Sequence, residues 1–308
     1  MKTILITGGT GFIGQVLTAE LLSAGYRVIL LTRQNRSADA NPNLQYARWN
    51  IAHQTIDAAA IQEADAIIHL AGAGVADKRW TSAYKKEILD SRLQSTALLA
   101  KALQESQHHV RTFLSASAIG WYGQDRPDHQ PFIETDPAAT DFLGDTCRQW
   151  EQAVDAIASQ GIRTCKLRTG IVLGLGGGAL KEYDLPLKLG IAPILGSGKQ
   201  MLSWIHIRDL CRMYLYLLKE ETLTGVFNAV APNPVNNETF GLTLARTRNK
   251  KRFIPLPVPA FVLKLVKGES SIEVLKSTTV SANKIKTAGF VFQFPTVPVA
   301  LENIYSAL

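Results

Sequence analysis

The stretch Lys2-Thr-Ile-Leu-Ile-Thr-Gly-Gly-Thr-Gly-Phe-Ile-Gly14 decides the fold of this chain. A short apolar run, Ile4 to Ile6, leads into three glycines spaced three residues apart and then into a helical pattern. The order strand, glycine turn, helix is typical of the phosphate-binding start of a dinucleotide-binding fold. The stretch therefore predicts that a nucleotide is bound, but it leaves the reaction open.

Each of the three glycines has a separate physical function. Gly8 allows a sharp turn off the strand, Gly11 allows the backbone to approach a pyrophosphate, and Gly14 allows the helix to pack against the strand. The helix points its free N–H groups and the positive end of its dipole at the phosphates. The residues of this turn that we expect to contact the cofactor are Gly8, Thr10, Gly11, Phe12, Ile13 and Gly14.

Length and composition indicate a soluble globular protein. The 308 residues, 46% hydrophobic and 19% charged, can bury a large core. No apolar stretch reaches the ~18 residues needed to cross a bilayer, and the start of the chain does not read as a signal peptide. The three cysteines share no metal-ligand spacing, which fits a reducing compartment. We therefore predict a cytoplasmic protein without a membrane partner or a metal.

The net charge of +7 raises the hypothesis of a nucleic-acid partner. The densest basic run, Arg246-Thr-Arg-Asn-Lys-Lys-Arg252, lies where a helix should give way to a loop, and no nucleic-acid motif accompanies it. We interpret the run as a solvated face and predict no nucleic-acid partner. Part of the positive charge can serve an anionic cofactor or substrate.

Strand and helix patterns alternate along the first part of the chain, which predicts a parallel sheet covered on both faces. Val28–Leu31 and Ile67–Leu70 are unbroken apolar runs, as expected for doubly buried strands. After Gly174 the pattern changes to glycine-rich turns and separate helices. We predict an α/β fold, a Rossmann-type doubly wound parallel sheet over residues 1–174. Residues 175–308 would mostly form a smaller, substrate-side C-terminal lobe, with some segments returning to the first domain.

The spacing G-x-x-G-x-x-G after Thr7 resembles the extended short-chain dehydrogenase/reductase family, which includes NAD-dependent epimerases and dehydratases. Other segments are similar to its bacterial "epimerase family protein" branch, which has a small C-terminal domain of unknown function. This second resemblance covers nearly the whole chain, and the branch name records fold similarity rather than a reaction. Its segments include Ala76-Asp-Lys-Arg-Trp80, Ser91-Arg92, Cys147-x-x-Trp150-Glu151, Gly196-Ser-Gly-Lys-Gln200 and Trp204-Ile-His-Ile-Arg-Asp209.

The end of the second strand bears on the choice of dinucleotide. NAD sites usually place an acid about 20 residues past the glycines, on the ribose 2′-hydroxyl. This chain has Thr32-Arg33-Gln-Asn-Arg36 there. A carboxylate would repel a 2′-phosphate, whereas a guanidinium binds it with charge-assisted hydrogen bonds. Arg33 and Arg36 therefore favour NADP(H) over NAD(H); the alternative is that both are surface charges on a loop.

The resemblance implies further cofactor contacts at the ends of later strands. The end of the third strand contacts adenine in related proteins, and the end of the fourth lets ribose and phosphates pass close to the backbone. His69, inside the fourth strand, is interpreted as a structural histidine. The implied contacts are Asn50, Leu70, Ala71, Gly72, Ser115 and Thr169.

The catalytic pattern of the family is only partly present. Members with redox activity use a Ser or Thr and a Tyr-x-x-x-Lys on a helix, where the tyrosine transfers a proton and the lysine stabilises the phenolate. Ser117 matches the serine and Tyr122 the Tyr-Gly that follows the strand, but none of the eight tyrosines has a lysine four residues on. Leu143 stands at the position of the motif's tyrosine, and Cys147 stands at the position of its lysine. We predict Ser117 and Tyr122 as catalytic residues; the alternative for Tyr122 is a wall of the pocket.

A loop after the fourth strand and two later segments supply candidates for a substrate pocket. The loop lies on the ligand side of an open sheet and combines an acid, bases and an aromatic ring, which suits a flat anionic substrate. The alternative is a helix N-terminus with ion pairs. The predicted pocket residues are Asp77, Arg79, Trp80, Lys199, Trp204 and His206. Asp209 is interpreted as a helix cap or an anchor.

Two functions stay open at this point. The first is an NADP(H)-dependent oxidoreductase or epimerase with a nonstandard proton donor, acting on an unknown small molecule. The second is a non-catalytic NADP(H)-binding regulatory or scaffold protein. The polar residues of the pocket favour the first function, and the missing Tyr-Lys pair favours the second. We favour the enzyme, as a monomer or a homodimer.

Overall fold

A computed structural model describes residues 1–249 and 252–306 of the chain. Its first part alternates strands and helices, with a 3₁₀ turn at Ile119–Trp121. The elements are β1 (Thr3–Thr7), α1 (Phe12–Ser23), β2 (Arg27–Thr32), β3 (Leu44–Asn50), β4 (Thr55–Ile56), α2 (Ala58–Glu63), β5 (Ala66–His69), α3 (Ser82–Glu105), β6 (Thr112–Ala118), α4 (Phe142–Ala158) and β7 (Arg163–Thr169).

The second part mixes short strands with helices and has a 3₁₀ turn at Gly268–Ser271. Its elements are β8 (Ile171–Leu173), α5 (Leu180–Lys188), β9 (Ile191–Leu195), β10 (Met201–Leu202), β11 (Trp204–His206), α6 (Ile207–Lys219), β12 (Gly225–Ala229), β13 (Val235–Asn236), α7 (Asn237–Asn249), β14 (Ile254–Val258), α8 (Ala260–Lys267), α9 (Ile272–Leu275), α10 (Asn283–Thr287) and α11 (Val297–Tyr305).

The central sheet has the strand order β12-β7-β6-β5-β1-β2-β3-β4. All its neighbouring strands run parallel except β4, which pairs antiparallel with β3. β1 lies between β2 and β5, so the strand order reverses beside the glycine turn that follows Thr7. In an open α/β sheet, ligands bind outside the carboxyl ends of the strands at such a reversal. This is the predicted Rossmann-type sheet, with its ligand edge at the glycines.

Helices cover both faces of the sheet, because its inner strands are apolar on both sides. On one face, Leu17 of α1 and Leu210 of α6 belong to a core cluster with Ile6 of β1. On the other face, Leu99 of α3 and Val154 of α4 pack in a second cluster with the alternate side chains of the same strands. The sheet is therefore a rigid support for residues at its carboxyl edge.

A third apolar core joins α5, β9, α7 and α11 in the C-terminal lobe. Asp209, fully buried in α6, ties this lobe to the sheet, because its carboxylate accepts hydrogen bonds from the backbone N–H groups of Gln293 (3.0 Å) and Phe294 (2.8 Å). Asp209 is thus an anchor. The boundary at residue 174 stays a prediction; β12 and α6, which follow it, pack with the first domain.

Within residues 1–249 and 252–306, no helix has both the length and the apolar character that crossing a bilayer would require. Among the same residues, no three His, Cys, Asp or Glu side chains are grouped so that they could hold a metal ion. In the basic run Arg246–Arg252, Lys250 and Lys251 lie outside the described residues. Its interpretation as a solvated face stays a prediction.

Candidate functional site

The glycine turn between β1 and α1 has no room for side chains at two of its glycines. Gly8 has a φ of 70°, and a Cβ placed there would lie 2.9 Å from the carbonyl carbon of Leu70. A Cβ on Gly14 would lie 2.3 Å from the backbone oxygen of Gly8. The Gly11 N–H donates to the same oxygen at 3.0 Å and closes the turn. The turn is thus fixed by its own backbone.

The start of α1 is open to an anion. Gly11 is the N-cap residue, no described side chain caps the helix, and its first turn contains no acidic residue. The first N–H groups of a helix lack intrahelical acceptors and carry the positive end of the dipole. Thr10 and Gly11 are exposed. This arrangement fits the phosphates of a dinucleotide.

Phe12 occupies the first position of α1 and lies against a glycine-rich loop, residues 174–178. A Cβ on Gly174, Gly177 or Gly178 would lie 3.0, 2.7 or 2.9 Å from atoms of the Phe12 ring. The half-buried side chain is therefore packed closely against this loop. The predicted cofactor contact of Phe12 stays a prediction.

The end of β5 is fixed by a buried network that starts at Thr7. The Thr7 hydroxyl accepts hydrogen bonds from the N–H groups of Leu70 (3.1 Å) and Ala71 (3.2 Å) and bonds to Nδ1 of His69 (2.7 Å). His69 is fully buried, its Nε2 bonds to Thr96 at 3.1 Å, and burial lowers its pKa to about 3. These contacts agree with a structural histidine that sets the backbone path at Leu70 and Ala71.

Arginines surround the end of β2. Arg33 and Arg36 are both exposed, and the guanidinium carbon of Arg36 lies 5.4 Å from the centre of the Tyr46 ring. Arg48 of β3, also exposed, stands opposite Thr32 in the strand register. Arg48 was not among the predicted residues, although its position at a strand end close to the two predicted arginines could have indicated it.

The remaining predicted cofactor residues differ in how open they are. Asn50 accepts a hydrogen bond from the N–H of His53 at 3.1 Å, and Ser115 is fully buried, with its hydroxyl donating to a backbone carbonyl. Thr169 and Gly170, at the end of β7, line a cavity. The cofactor contacts of all these residues stay predictions.

Ser117 and Tyr122 belong to one buried polar network. The Ser117 hydroxyl donates to Glu151 at 2.7 Å, and Glu151 forms a two-bond ion pair with Arg168 at 2.8 and 3.0 Å. The Tyr122 hydroxyl donates to Asn228 at 2.6 Å and accepts from Arg168 at 3.0 Å. Burial raises the pKa of Tyr122 to about 12.

Both predicted catalytic hydroxyls are thus satisfied inside the protein, and neither Ser117 nor Tyr122 lines the cavity beside them. The ion pair between Glu151 and Arg168 holds the middle of α4 against the carboxyl end of β7. This geometry favours a role for Ser117 and Tyr122 in positioning their neighbours, rather than in transferring a proton directly to a substrate. The assignment of both residues as catalytic stays a prediction.

The cavity measures about 200 Å³ and lies at the carboxyl ends of β6 and β7. α4 bounds it on one side and segments of the C-terminal lobe on the other. Many of its walls are apolar, whereas its charged groups are Arg92, Glu273 and Lys276. Glu273 and Lys276 form an ion pair at 2.6 Å, and burial raises the pKa of Glu273.

The positions that correspond to the missing Tyr-x-x-x-Lys do face this cavity. Leu143 and Cys147 both line it, one turn apart on α4. Burial raises the pKa of Cys147 to about 12, so the thiol is protonated at neutral pH and is a poor nucleophile. Neither side chain supplies the missing proton relay, but the space around them is open.

The predicted loop residues lie outside the cavity wall. Arg79 donates to the backbone oxygen of Leu265 at 3.0 Å, and buried Trp80 donates to that of Val75 at 2.8 Å. Asp77 is exposed. The loop therefore joins α3 to the C-terminal lobe, and a role of these residues in substrate binding stays a prediction.

The later pocket candidates are also placed away from the cavity. Lys199 is exposed, and Trp204 is 1% exposed. His206 caps α6 by accepting the N–H of Arg208 at 3.1 Å, and its ring stacks on Phe294. Burial lowers the pKa of His206 to about 4. These contacts support structural roles, while the predicted role in the pocket stays open.

Sequence reasoning did not select Arg92, Trp150, Glu273 and Lys276 as site residues, although all four line the cavity. A signal existed for Arg92, which falls four residues after Ile88 and seven before Leu99 on α3, on the buried stripe of that helix. An arginine on an apolar stripe is unusual enough to mark a site. Glu273 and Lys276 carry no comparable signal.

The glycine turn, the strand order and the open helix start define a Rossmann-type nucleotide-binding fold. The sequence profile of the NAD dependent epimerase/dehydratase family matches residues 4–229, and that of a domain of unknown function, DUF1731, matches residues 258–304. The chain therefore belongs to the NAD dependent epimerase/dehydratase family. Both the family and the C-terminal domain are those that the sequence motifs predicted.

Relatives resemble the whole chain. An epimerase family protein of Staphylococcus saprophyticus is 36% identical over 308 residues, which cover 99% of both chains. Human epimerase family protein SDR39U1 (isoform 2), solved with NADPH, is 31% identical, with a TM-score of 0.86 over 99% of this chain and 100% of that one. A nucleoside-diphosphate sugar epimerase of Corynebacterium glutamicum is 29% identical, with a TM-score of 0.77 over 98% of this chain and 58% of that one. The predicted fold class is thereby confirmed.

Proposed function

We propose that this protein binds NADP(H) and acts as an oxidoreductase or epimerase on a small molecule. The observation that carries the proposal is the uncapped start of α1 at the glycine turn, with arginines rather than an acid at the end of β2. The cavity at the ends of β6 and β7 lies on the same edge of the sheet. The human relative solved with NADPH supports this choice of cofactor.

The chain offers a separate group for each part of the cofactor. The N–H groups at the start of α1 would bind the pyrophosphate, and Arg33, Arg36 and Arg48 would bind the 2′-phosphate. The residues after β5 would let the cofactor pass along the backbone toward Thr169. When bound, the nicotinamide supplies the hydride, and the protein orients the substrate and moves a proton.

We further infer that Glu273 and Lys276 are the candidate proton-transfer groups. The cavity hydroxyls of Thr146, Ser203 and Thr278 all donate to backbone oxygens, at 2.7, 2.8 and 2.6 Å. The ion pair faces the cavity, and its carboxyl has a raised pKa, which suits a general acid. Ser117 and Tyr122 would support the wall from behind, through Arg168.

Titration with both cofactors tests the proposal. We expect NADPH to bind at least tenfold more tightly than NADH, and the double variant Arg33→Ala, Arg36→Ala to lose that preference. Arg148→Ala, which removes an exposed arginine on α4, is the matched control and should keep it. Equal binding of the two cofactors by the unaltered protein would contradict the proposal.

The absence of a Tyr-x-x-x-Lys supports a second candidate, an NADP(H)-binding protein without turnover. A panel of aldehydes and ketones, followed by NADPH absorbance, separates the two. Oxidation that depends on Glu273, lost in Glu273→Gln, supports the enzyme. Tight NADPH binding with no oxidation by any member of the panel supports the regulatory alternative.

A further inference from the structure

Arg92 is a half-buried cation that has no acidic partner among the described residues. It lies in the middle of α3, and its Nη1 donates to the backbone oxygens of Ile88 (2.8 Å) and Ala73 (3.1 Å). No carboxylate of the described residues lies within ion-pair distance of it. Removing much of a charged group from water without a counterion is unfavourable. The two carbonyl contacts hold the guanidinium in place but do not neutralise it.

The rest of the guanidinium is placed at the cavity. In the part of the chain that the structure describes, its Nε and Nη2 groups have no hydrogen-bond acceptor. Gly72 makes room for it, because a Cβ there would lie 3.2 Å from the Arg92 Cζ. The Arg92 side chain therefore presents two unused donors where the cavity begins.

A third unused donor is the N–H group of Trp150, over whose ring the Arg92 guanidinium lies. The guanidinium carbon is 5.0 Å from the centre of the Trp150 ring, and Trp150 also lines the cavity. Trp150 is 4% exposed, and its Nε1 has no hydrogen-bond partner among the described residues. A buried N–H without a partner is uncommon, because it loses its bond to water without replacement.

The remaining walls limit what these donors can bind. Val75, Ile119, Leu143 and Leu202 are apolar, and the ion pair Glu273–Lys276 is neutral as a unit, so Arg92 leaves the cavity with one net positive charge. A volume of about 200 Å³ is below the ~300–1,000 Å³ of pockets for drug-sized ligands. The complementary ligand has one anionic group and a short apolar body.

We propose that Arg92 and the Trp150 N–H form a carboxylate-binding site, and that the substrate is a small monocarboxylic acid with an apolar body. Nε and Nη2 of a guanidinium match the two oxygens of a carboxylate with parallel hydrogen bonds. A sugar nucleotide, with two phosphates and a hydrated sugar, does not suit this cavity. The inference rests on the proposed function, since the cofactor would supply the redox chemistry beside this site.

Matched acid and amide pairs test the site. Protein saturated with NADPH is titrated by calorimetry with benzoate against benzamide and with butyrate against butyramide. We expect each acid to bind at least tenfold more tightly than its amide. Arg92→Gln should abolish the preference, Arg92→Lys should keep part of it, and Lys219→Gln, which removes an exposed charge at the end of α6 outside the cavity, should leave it unchanged.

Trp150→Phe provides a variant that disturbs the fold little, because the lost N–H has no partner in the described chain. It should weaken acid binding three- to tenfold while NADPH binding stays the same. Equal binding of acids and amides, or a preference that survives in folded Arg92→Gln, would overturn the inference. A tenfold loss of NADPH affinity in Arg92→Gln without any acid preference would assign Arg92 to the cofactor instead. Failure to bind NADPH at all would refute the proposed function separately.

Discussion

At the scale of single residues, the most constrained group is Arg168. It is 2% exposed, pairs with Glu151 through two hydrogen bonds, and lies 3.6 Å from the centre of the Trp121 ring. Ser117 and Tyr122 complete the same network. A buried pair of this kind depends on both partners, since either one alone would be an uncompensated charge.

Replacing Glu151 by Gln should therefore lower the free energy of unfolding by about 3–5 kcal/mol, because Arg168 keeps its charge without a counterion. Denaturant unfolding followed by circular dichroism measures the loss. Asp145→Asn is the control, since Asp145 pairs with Arg148 at the surface of the same helix and should change stability by less than ~1 kcal/mol. Similar small losses in both variants would show that the buried pair contributes little.

His206 makes stability depend on pH. Its pKa is lowered to about 4 in the folded protein, so between about pH 6.5 and pH 4 the unfolded chain binds a proton that the folded chain does not. This contribution is present above pH 6.5 and is lost as the pH falls. From pH 7 to pH 5 it should cost about 2 kcal/mol.

His206→Asn should remove this contribution and still cap α6, because asparagine is a good N-cap residue. Denaturant unfolding at pH 7 and pH 5 gives the difference for each protein. We expect the loss between the two pH values to be about 2 kcal/mol smaller in the variant. The same loss in both proteins would mean that His206 does not titrate in this way.

The sequence could not supply the residue-scale picture in full. The motif pointed to Ser117 and Tyr122, but their partners Glu151, Arg168 and Asn228 come from distant parts of the chain. Whether a hydroxyl faces a cavity or a buried guanidinium depends on how these distant parts of the chain pack together. Local spacing carries no information about it.

At the scale of elements, the contact between β1 and α1 depends on Gly14. Its ideal Cβ would meet only backbone, 2.3 Å from one oxygen and 2.6 Å from the Cα of Gly9, so nothing there can rotate away. Gly25, at the far end of the helix, has a φ of 83° but open space around it. Gly14 is therefore required for lack of space, whereas Gly25 is favoured only by its positive φ.

Gly14→Ala should push α1 away from β1 and reduce NADPH affinity at least tenfold. Gly25→Ala should cost about 1 kcal/mol of stability, from its positive φ alone, and leave NADPH affinity unchanged. Fluorescence titration and thermal unfolding of both variants provide the comparison. Unchanged NADPH binding in Gly14→Ala would exclude a tightly packed turn.

Helices and strands could be predicted where the hydrophobic pattern was strong. They could not be predicted where the structure of a segment depends on the strand that pairs with it. The apolar runs Ile4–Ile6 and Val28–Leu31, from which strands were predicted, lie within β1 (Thr3–Thr7) and β2 (Arg27–Thr32). Pro255 and Pro257 are residues that disfavour a strand, whereas Ile254–Val258 forms β14, paired parallel with β9. Proline is tolerated on an edge strand when its missing N–H faces away from the partner strand. Only the presence of β9 makes this a strand.

At the scale of the whole molecule, the candidate site joins two parts of the chain that fold around different cores. Thr169 and Cys147 belong to the central sheet and its cover, whereas Glu273 and Lys276 come from the C-terminal lobe. The fold class and the glycine turn were evident from the sequence. The cavity was not, because its opposite walls lie more than a hundred residues apart.

Cofactor binding should therefore stabilise the molecule as a whole. At a free NADPH concentration 100 times its Kd, the free energy of unfolding should rise by about 2.7 kcal/mol. Differential scanning fluorimetry with equal concentrations of NADPH and NADH should show a clearly larger rise in Tm for NADPH. The variant Arg33→Ala, Arg36→Ala should bring the two shifts together. Equal shifts in the unaltered protein would contradict a preference for the 2′-phosphate.

The fit of Phe12 against the glycine-rich loop has a consequence for related sequences. Its ring leaves no room for a side chain at Gly177, and Gly177 lies more than 160 residues further along the chain. A smaller residue at position 12 would remove the reason for a glycine at position 177. Across the family, the two positions should therefore change together, with an aromatic ring at the first paired with glycine at the second.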